Sequence, residues 1–117
     1  MSDTPASPPV VIENAPDAIV ARVNVKLLDD KEIRLLSQLI DESATAPGVG
    51  MVIIDLSRVQ ILPSLGLGAL VQISNKCKAR SQTLKLAAVQ PAIRKVFAIT
   101  RLDRILDMVD SVDAALQ

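Results

Sequence analysis

Met51-Val-Ile-Ile-Asp-Leu-Ser57, then Val59-Gln-Ile-Leu62, then Pro63-Ser-Leu-Gly-Leu-Gly-Ala-Leu-Val71 is the stretch on which the fold turns. Its opening, Met51–Leu56, is a nearly continuous apolar run, the pattern of a strand buried on both faces of a sheet. Val59–Leu62 is a short apolar piece leading out of it. From Leu65 to about Arg80 the spacing becomes helical, with Leu67, Leu70, Val71, Ser74 and Cys77 on one side at ~100° per residue. A buried strand feeding a helix is the repeating step of an α/β domain.

Upstream, Val10–Glu13 and Ala18–Val25 are short, β-branched segments separated by the turn composition Asn14-Ala-Pro-Asp17. They predict an opening pair of strands. Asp29-Asp-Lys-Glu32 then has the form of a capping box, with Asp29 as N-cap and Glu32 three residues on. Ile33, Leu36 and Ile40, widened by Leu35 and Leu39, continue at helical spacing until Pro47-Gly48. Downstream, Leu84–Val89 is a further strand, and Pro91 opens a helix whose inner face is Ile93, Val96 and Phe97. Ile105–Val109 is the last strand, and Asp110 or Ser111 caps a terminal helix, Val112–Leu116. The expected order is β-β-α-β-α-β-α-β-α: a single α/β domain over residues 10–117, with about four helices on a mixed sheet. Residues 1–9, with their prolines and small polar side chains, read as a disordered tail.

Composition narrows the function. The chain has no histidine, which removes Ser–His–Asp and Cys–His catalysis, imidazole acid–base chemistry and His–metal sites together. No calcium-type acidic loop or Walker loop is present, and Gly66-x-Gly68 lacks the third glycine of a dinucleotide fingerprint. Leu62-Pro-Ser-Leu-Gly66 is half of a nucleophile elbow without its first glycine or its base. We therefore expect no enzyme, no catalytic residue, no metal and no cofactor. Thirteen basic residues balance thirteen acidic ones and Phe97 is the only aromatic, which argues against a nucleic-acid partner. No apolar run approaches the ~20 residues of a membrane span. A single cysteine, Cys77, falls beside the apolar face of its helix as core packing and suits a cytoplasmic location.

Ser64 stands between a strand and a helix, where its hydroxyl can accept a hydrogen bond from a first-turn N–H. That bond alone accounts for a serine there. Its neighbours add more. Gly66 and Gly68 each cost ~1 kcal/mol against alanine in a helix, which makes sense either for close approach of a partner or for tight packing of the helix on the sheet. Leu65 points away from the apolar stripe, on the side of Gln72 and Lys76, so a large apolar side chain lies beside an accessible hydroxyl. Arg94, Lys95, Arg101 and Arg104 read as solvated positions.

Val52-Ile-Ile-Asp-Leu-Ser57, Val59 and Leu62-Pro-Ser-Leu-Gly-Leu-Gly68 together resemble the centre of a STAS domain, the fold of sulfate-transporter tails and bacterial anti-sigma-factor antagonists. The resemblance continues in Leu84-Lys-Leu-Ala-Ala-Val89, Pro91-Ala-Ile-Arg-Lys-Val-Phe97 and Thr100-Arg-Leu-Asp103, and covers about Val10 to Leu116. It implies partner switching. An unphosphorylated antagonist binds an anti-sigma serine kinase, is released when phosphorylated, and is reset by a serine phosphatase. On the matching positions the resemblance makes Ser64 the phosphoacceptor and Asp29, Pro63, Ser64, Leu65, Gly66, Gly68 and Ala69 the partner-binding set. Pro63 stands where the family has Asp, Leu65 where it has a second Ser or Thr, and Lys26-Leu-Leu-Asp29 where it has Gly-Glu-Leu-Asp. A STAS scaffold that is never phosphorylated, or one that binds a small ligand, are the alternatives this pattern allows.

Overall fold

The computed structural model describes residues 8–117. A hairpin opens the chain, β1 (Val10–Ala15) and β2 (Ala18–Val23), followed by α1 (Asp30–Ala44), β3 (Met51–Asp55), α2 (Ser64–Ala79) and β4 (Thr83–Ala87). Then come α3 (Pro91–Ile99), a short 3-10 turn at Leu102–Arg104, β5 (Asp107–Val109) and α4 (Val112–Leu116). The order is the expected one. The five strands form one sheet in the order β1-β2-β3-β4-β5. β1 pairs antiparallel with β2, and every later neighbour is parallel, so the sheet is mixed. The tail expected over residues 1–9 falls mostly on residues 1–7, outside the described residues; the Pro8 and Pro9 carbonyls accept hydrogen bonds from Asn24.

Strand alternation sorts side chains to two faces. On one, Ile19, Ala21, Val23, Val52, Ile54, Leu84 and Leu86 meet Ile33, Leu36 and Ile40 of α1, Leu70, Ile73 and Cys77 of α2, and Ile93 and Phe97 of α3. On the other, Val20, Ile53 and Ala87 pack with Val112 and Ala115 of α4, joined by half-buried Met51 and Val109. β3 carries both loads: Val52, Ile53 and Ile54 are all fully buried, as its unbroken apolar run predicts. Among the described residues no helix is long and apolar enough to cross a membrane.

Local capping follows the sequence at Asp29, but the reciprocal half of the capping box does not form: among the described residues buried Glu32 Oε2 has no hydrogen-bond partner. Asp29 caps α1, its carboxylate accepting from Lys31 N and Glu32 N at 3.2 and 3.4 Å. Ser111, rather than Asp110, caps α4 by accepting from Ala114 N at 2.9 Å. Three expectations are corrected. The last strand begins at Asp107, because Ile105 N–H and Leu106 N–H both turn back to Leu102 O and leave the ladder. Val96 is exposed, because α3 turns Ile93 and Phe97 into the core and Val96 lies to the side of that pair. The buried face of α2 is Gly66, Leu70, Ile73, Ser74 and Cys77, with Leu67 and Val71 only half-buried. The apolar residues of that helix point to several sides, so periodicity alone does not choose its face; packing on α1 and the sheet does.

Candidate functional site

Two loops place the site. The segments leaving β2 and β3 are tied together, with Gln60 N and Ile61 N donating to Lys26 O and Leu28 N donating to Ile61 O. Leu27 and Ile61 form a parallel bridge across them. This lacing brings the start of α1, at Asp29, to the same end of the sheet as the start of α2, at Ser64. Leu28 turns inward and is fully buried, whereas Leu27 and Ile61 turn outward and are 42% and 57% exposed. With Leu65, 55% exposed, they put three large apolar side chains at the end of the domain that carries Ser64.

Ser64 itself corrects the sequence expectation. It is the first residue of α2, and the cap position belongs to Pro63, whose extended backbone (φ −65°, ψ 165°) leads into the helix. Pro63 O accepts the N–H groups of Gly66 and Leu67 at 2.9 and 3.2 Å. Already helical, Ser64 cannot fold its hydroxyl back onto those amides, and among the described residues that hydroxyl has no hydrogen-bond partner. The side chain is exposed. What the sequence offers as a capping oxygen is an uncommitted one.

The two glycines separate. A Cβ on Gly66 would lie 2.5 Å from Leu62 Cδ1 and 3.4 Å from Ile33 Cδ1, so Gly66 is buried and lets α2 close on α1. A Cβ on Gly68 would meet nothing within 4 Å. Gly68 is exposed and has no packing reason of its own. Contacts fix how the helices run: Gly66 lies against Ile33, while further along Asp41 bonds Lys76 at 2.9 Å and Arg80 at 3.1 Å. α1 and α2 thus lie side by side in the same direction, with a groove of about 710 Å³ between them.

That groove gathers Ser64, Leu65, Gly68 and Ala69 from the sequence-predicted set, facing Asp30, Ile33, Arg34 and Asp41 of α1. Asp29, Pro63 and Gly66 do not line it: Asp29 is exposed as the α1 cap, Pro63 is the α2 cap, and Gly66 is interior. Leu27, Ile61, Asp30 and Arg34 are the site residues that sequence reasoning missed. Strand-like alternation through Leu27-Leu28 was the available signal for the first of them.

The Asp41 carboxyl is held below the usual carboxylate range, chiefly by the Lys76 hydrogen bond and then by Arg80, against the opposing effect of burial. Burial pushes the Cys77 thiol up, so it is core packing and no thiolate nucleophile. Asp55, at the end of β3, accepts from Ser57 N at 2.9 Å and pairs with Arg22 at 2.9 Å, an anchor for the loop. Among the described residues no three acidic or cysteine side chains are grouped to hold a metal. The site can offer a hydroxyl, an apolar rim and a groove.

A family model described as STAS domain matches residues 10–115. A Mycobacterium tuberculosis protein, provisionally named an anti-anti-sigma factor, is 29% identical over 92 residues, 76% of this chain and 61% of that protein. The chain therefore spans about three fifths of that relative's length. An anti-sigma factor antagonist from Mycobacterium paratuberculosis superposes with a TM-score of 0.78 at 28% identity, covering 98% of this chain and 96% of the other. The anti-sigma factor antagonist SpoIIAA shares the fold at 20% identity. Its unphosphorylated form gives a TM-score of 0.75 over 91% of this chain and 92% of that one. The phosphorylated form, a Bacillus cell fate determinant, gives 0.70 over 91% and 96%.

Proposed function

The chain belongs to the STAS domain family, and from that premise we propose that it is an anti-sigma-factor antagonist working by partner switching. Unphosphorylated, it binds an anti-sigma serine kinase through the end of the domain that presents Leu27, Ile61, Ser64 and Leu65. The kinase, holding ATP, modifies Ser64: the Ser64 Oγ–phosphorus bond forms as the bond to ADP breaks, and the hydroxyl proton passes to a base on the kinase. A serine phosphatase hydrolyses the ester and resets the switch. This chain contributes the acceptor and no catalytic group.

The observation that carries the reading is the uncommitted, exposed hydroxyl of Ser64 at the start of α2, beside exposed Leu65 and above the α1–α2 groove. The relatives named as anti-sigma factor antagonists support the partner class, and SpoIIAA, solved in both states, indicates a fold that tolerates a phosphate-bearing form. Release follows from charge. A phosphate brings about −1.5 to −2 charges, and burying it unpaired in an interface costs roughly 2–5 kcal/mol, a loss of about 30-fold or more in affinity. Pro63 and Leu65, where the family has Asp and Ser or Thr, favour a second reading in which the domain binds its partner without being phosphorylated.

Incubation with the cognate kinase and ATP, followed by intact mass and fragmentation, separates the two. One phosphate on Ser64 is expected. Labelling at Ser57 or Ser81, or no labelling in a complex that forms normally, overturns the switch.

A further inference from the structure

We propose that a phosphate on Ser64 is held across the groove by Arg34 of α1, so that modification adds an ion pair between the two helices at the end where, among the described residues, none joins them. This rests on the reading of Ser64 as phosphoacceptor and adds to it the residue that receives the phosphate.

Three observations place the pair. Gly66 meets Ile33, so the first turn of α2 lies against the α1 turn that contains Arg34. Ser64 and Arg34 both line the groove. Arg34 is exposed and forms no ion pair among the described residues, unlike Lys76 and Arg80 further along. It is also the only cationic side chain lining this groove among the described residues.

Of the acidic side chains on this lining, Asp41 is already paired with Lys76 and Arg80 and Glu42 lies two turns beyond Arg34, so the opposing charge nearest the guanidinium is Asp30, one turn before it. It repels the phosphate and competes for the guanidinium. Phosphate has the advantage on two counts: it carries about twice the charge, and it accepts a bidentate guanidinium pair across the groove. The result mirrors the far end, where Asp41 on α1 already bridges to Lys76 and Arg80 on α2. With both ends bridged, the groove is closed to a partner side chain that enters beside Leu65. Release is then a loss of shape as well as a gain of charge.

The test installs phosphoserine at position 64 during synthesis, so no kinase is needed, and follows its 31P resonance through a pH titration. A nearby cation favours the dianion, so the second phosphate ionisation in the wild-type background should fall below the ordinary value near ~6. In Arg34→Gln it should rise by roughly half a unit or more, and Arg34→Lys should recover part of the shift. Lys31→Gln, on the same helix but off this groove, is the control and should leave the titration unchanged. Identical titrations for wild type and Arg34→Gln overturn the proposal, and so does an equal effect of Lys31→Gln. A kinase that fails to label Ser64 would sink the switch reading without altering this measurement, so the two failures are distinguishable.

Discussion

The α1–α2 groove has two differently built ends. At the far end Asp41 is committed to Lys76 and Arg80 at 2.9 and 3.1 Å, an ion cluster that fixes the spacing of the helices. At the near end Ser64 and Arg34 have no ionic or hydrogen-bonded partner among the described residues, and Leu65 is more than half exposed. Gly66 and Gly68 repeat the contrast within one turn: the first is filled from both sides, the second faces open space. On the proposed reading, this contrast separates the side chains that hold the fold from those offered to a partner.

Gly66 carries the heaviest cost on the packed side. Gly66→Val must push against Leu62 and then Ile33, and we expect overpacking to destabilise the domain by about 1–3 kcal/mol in urea denaturation. A neutral result would mean that α2 does not close on α1 there.

Gly68→Ala should move the other way. The added methyl meets nothing, so the helix gains about 0.8–1 kcal/mol of propensity, a rise of roughly 3–4 °C in melting temperature for a domain of this size. If Gly68 is kept open for a partner, the same variant binds the kinase more weakly. Stabilisation with undiminished binding would remove Gly68 from the interface.

Asp41→Asn probes the committed end. Because the Asp41 side chain is 36% exposed, solvent screening limits its pairs to about 0.2–1 kcal/mol. The pH dependence is the sharper signature. The folded carboxyl lies below its ordinary value, so its contribution is complete above the unfolded value near ~3.9 and is lost as the pH falls through the lower folded one. The stability gap between wild type and Asp41→Asn should therefore hold constant from about pH 5 to 7 and shrink below about pH 4. A gap unchanged at about pH 3 would show that the pairs contribute nothing.

The smallest effects belong to the free end. Ser64→Ala removes no cap, so it should change stability by less than about 0.5 kcal/mol. A loss near the ~1 kcal/mol of a true N-cap would place the hydroxyl back on the helix. Leu65→Asp should likewise remain folded by circular dichroism while losing the partner.

Element order, the Asp29 cap, the burial of β3 on both faces and the position of Ser64 at a strand–helix junction were all legible in the residues. Each depends on neighbours within a few positions, through capping chemistry or hydrophobic period. The lack of histidine likewise narrows the chemistry through composition alone. What the chain could not announce is which side of α2 is buried, because Leu65, Leu67, Leu70, Val71 and Ile73 point to several sides of that helix and its packing against α1 and the sheet selects Gly66, Leu70 and Ile73. The same packing decides that Gly66 is enclosed while Gly68 stays open. Bringing Leu27, Ile61 and Arg34 to the serine needs two loops laced together and two helices laid side by side, from segments far apart in the chain. Local rules are short-ranged, and a surface is assembled by tertiary packing from segments that have no local knowledge of one another.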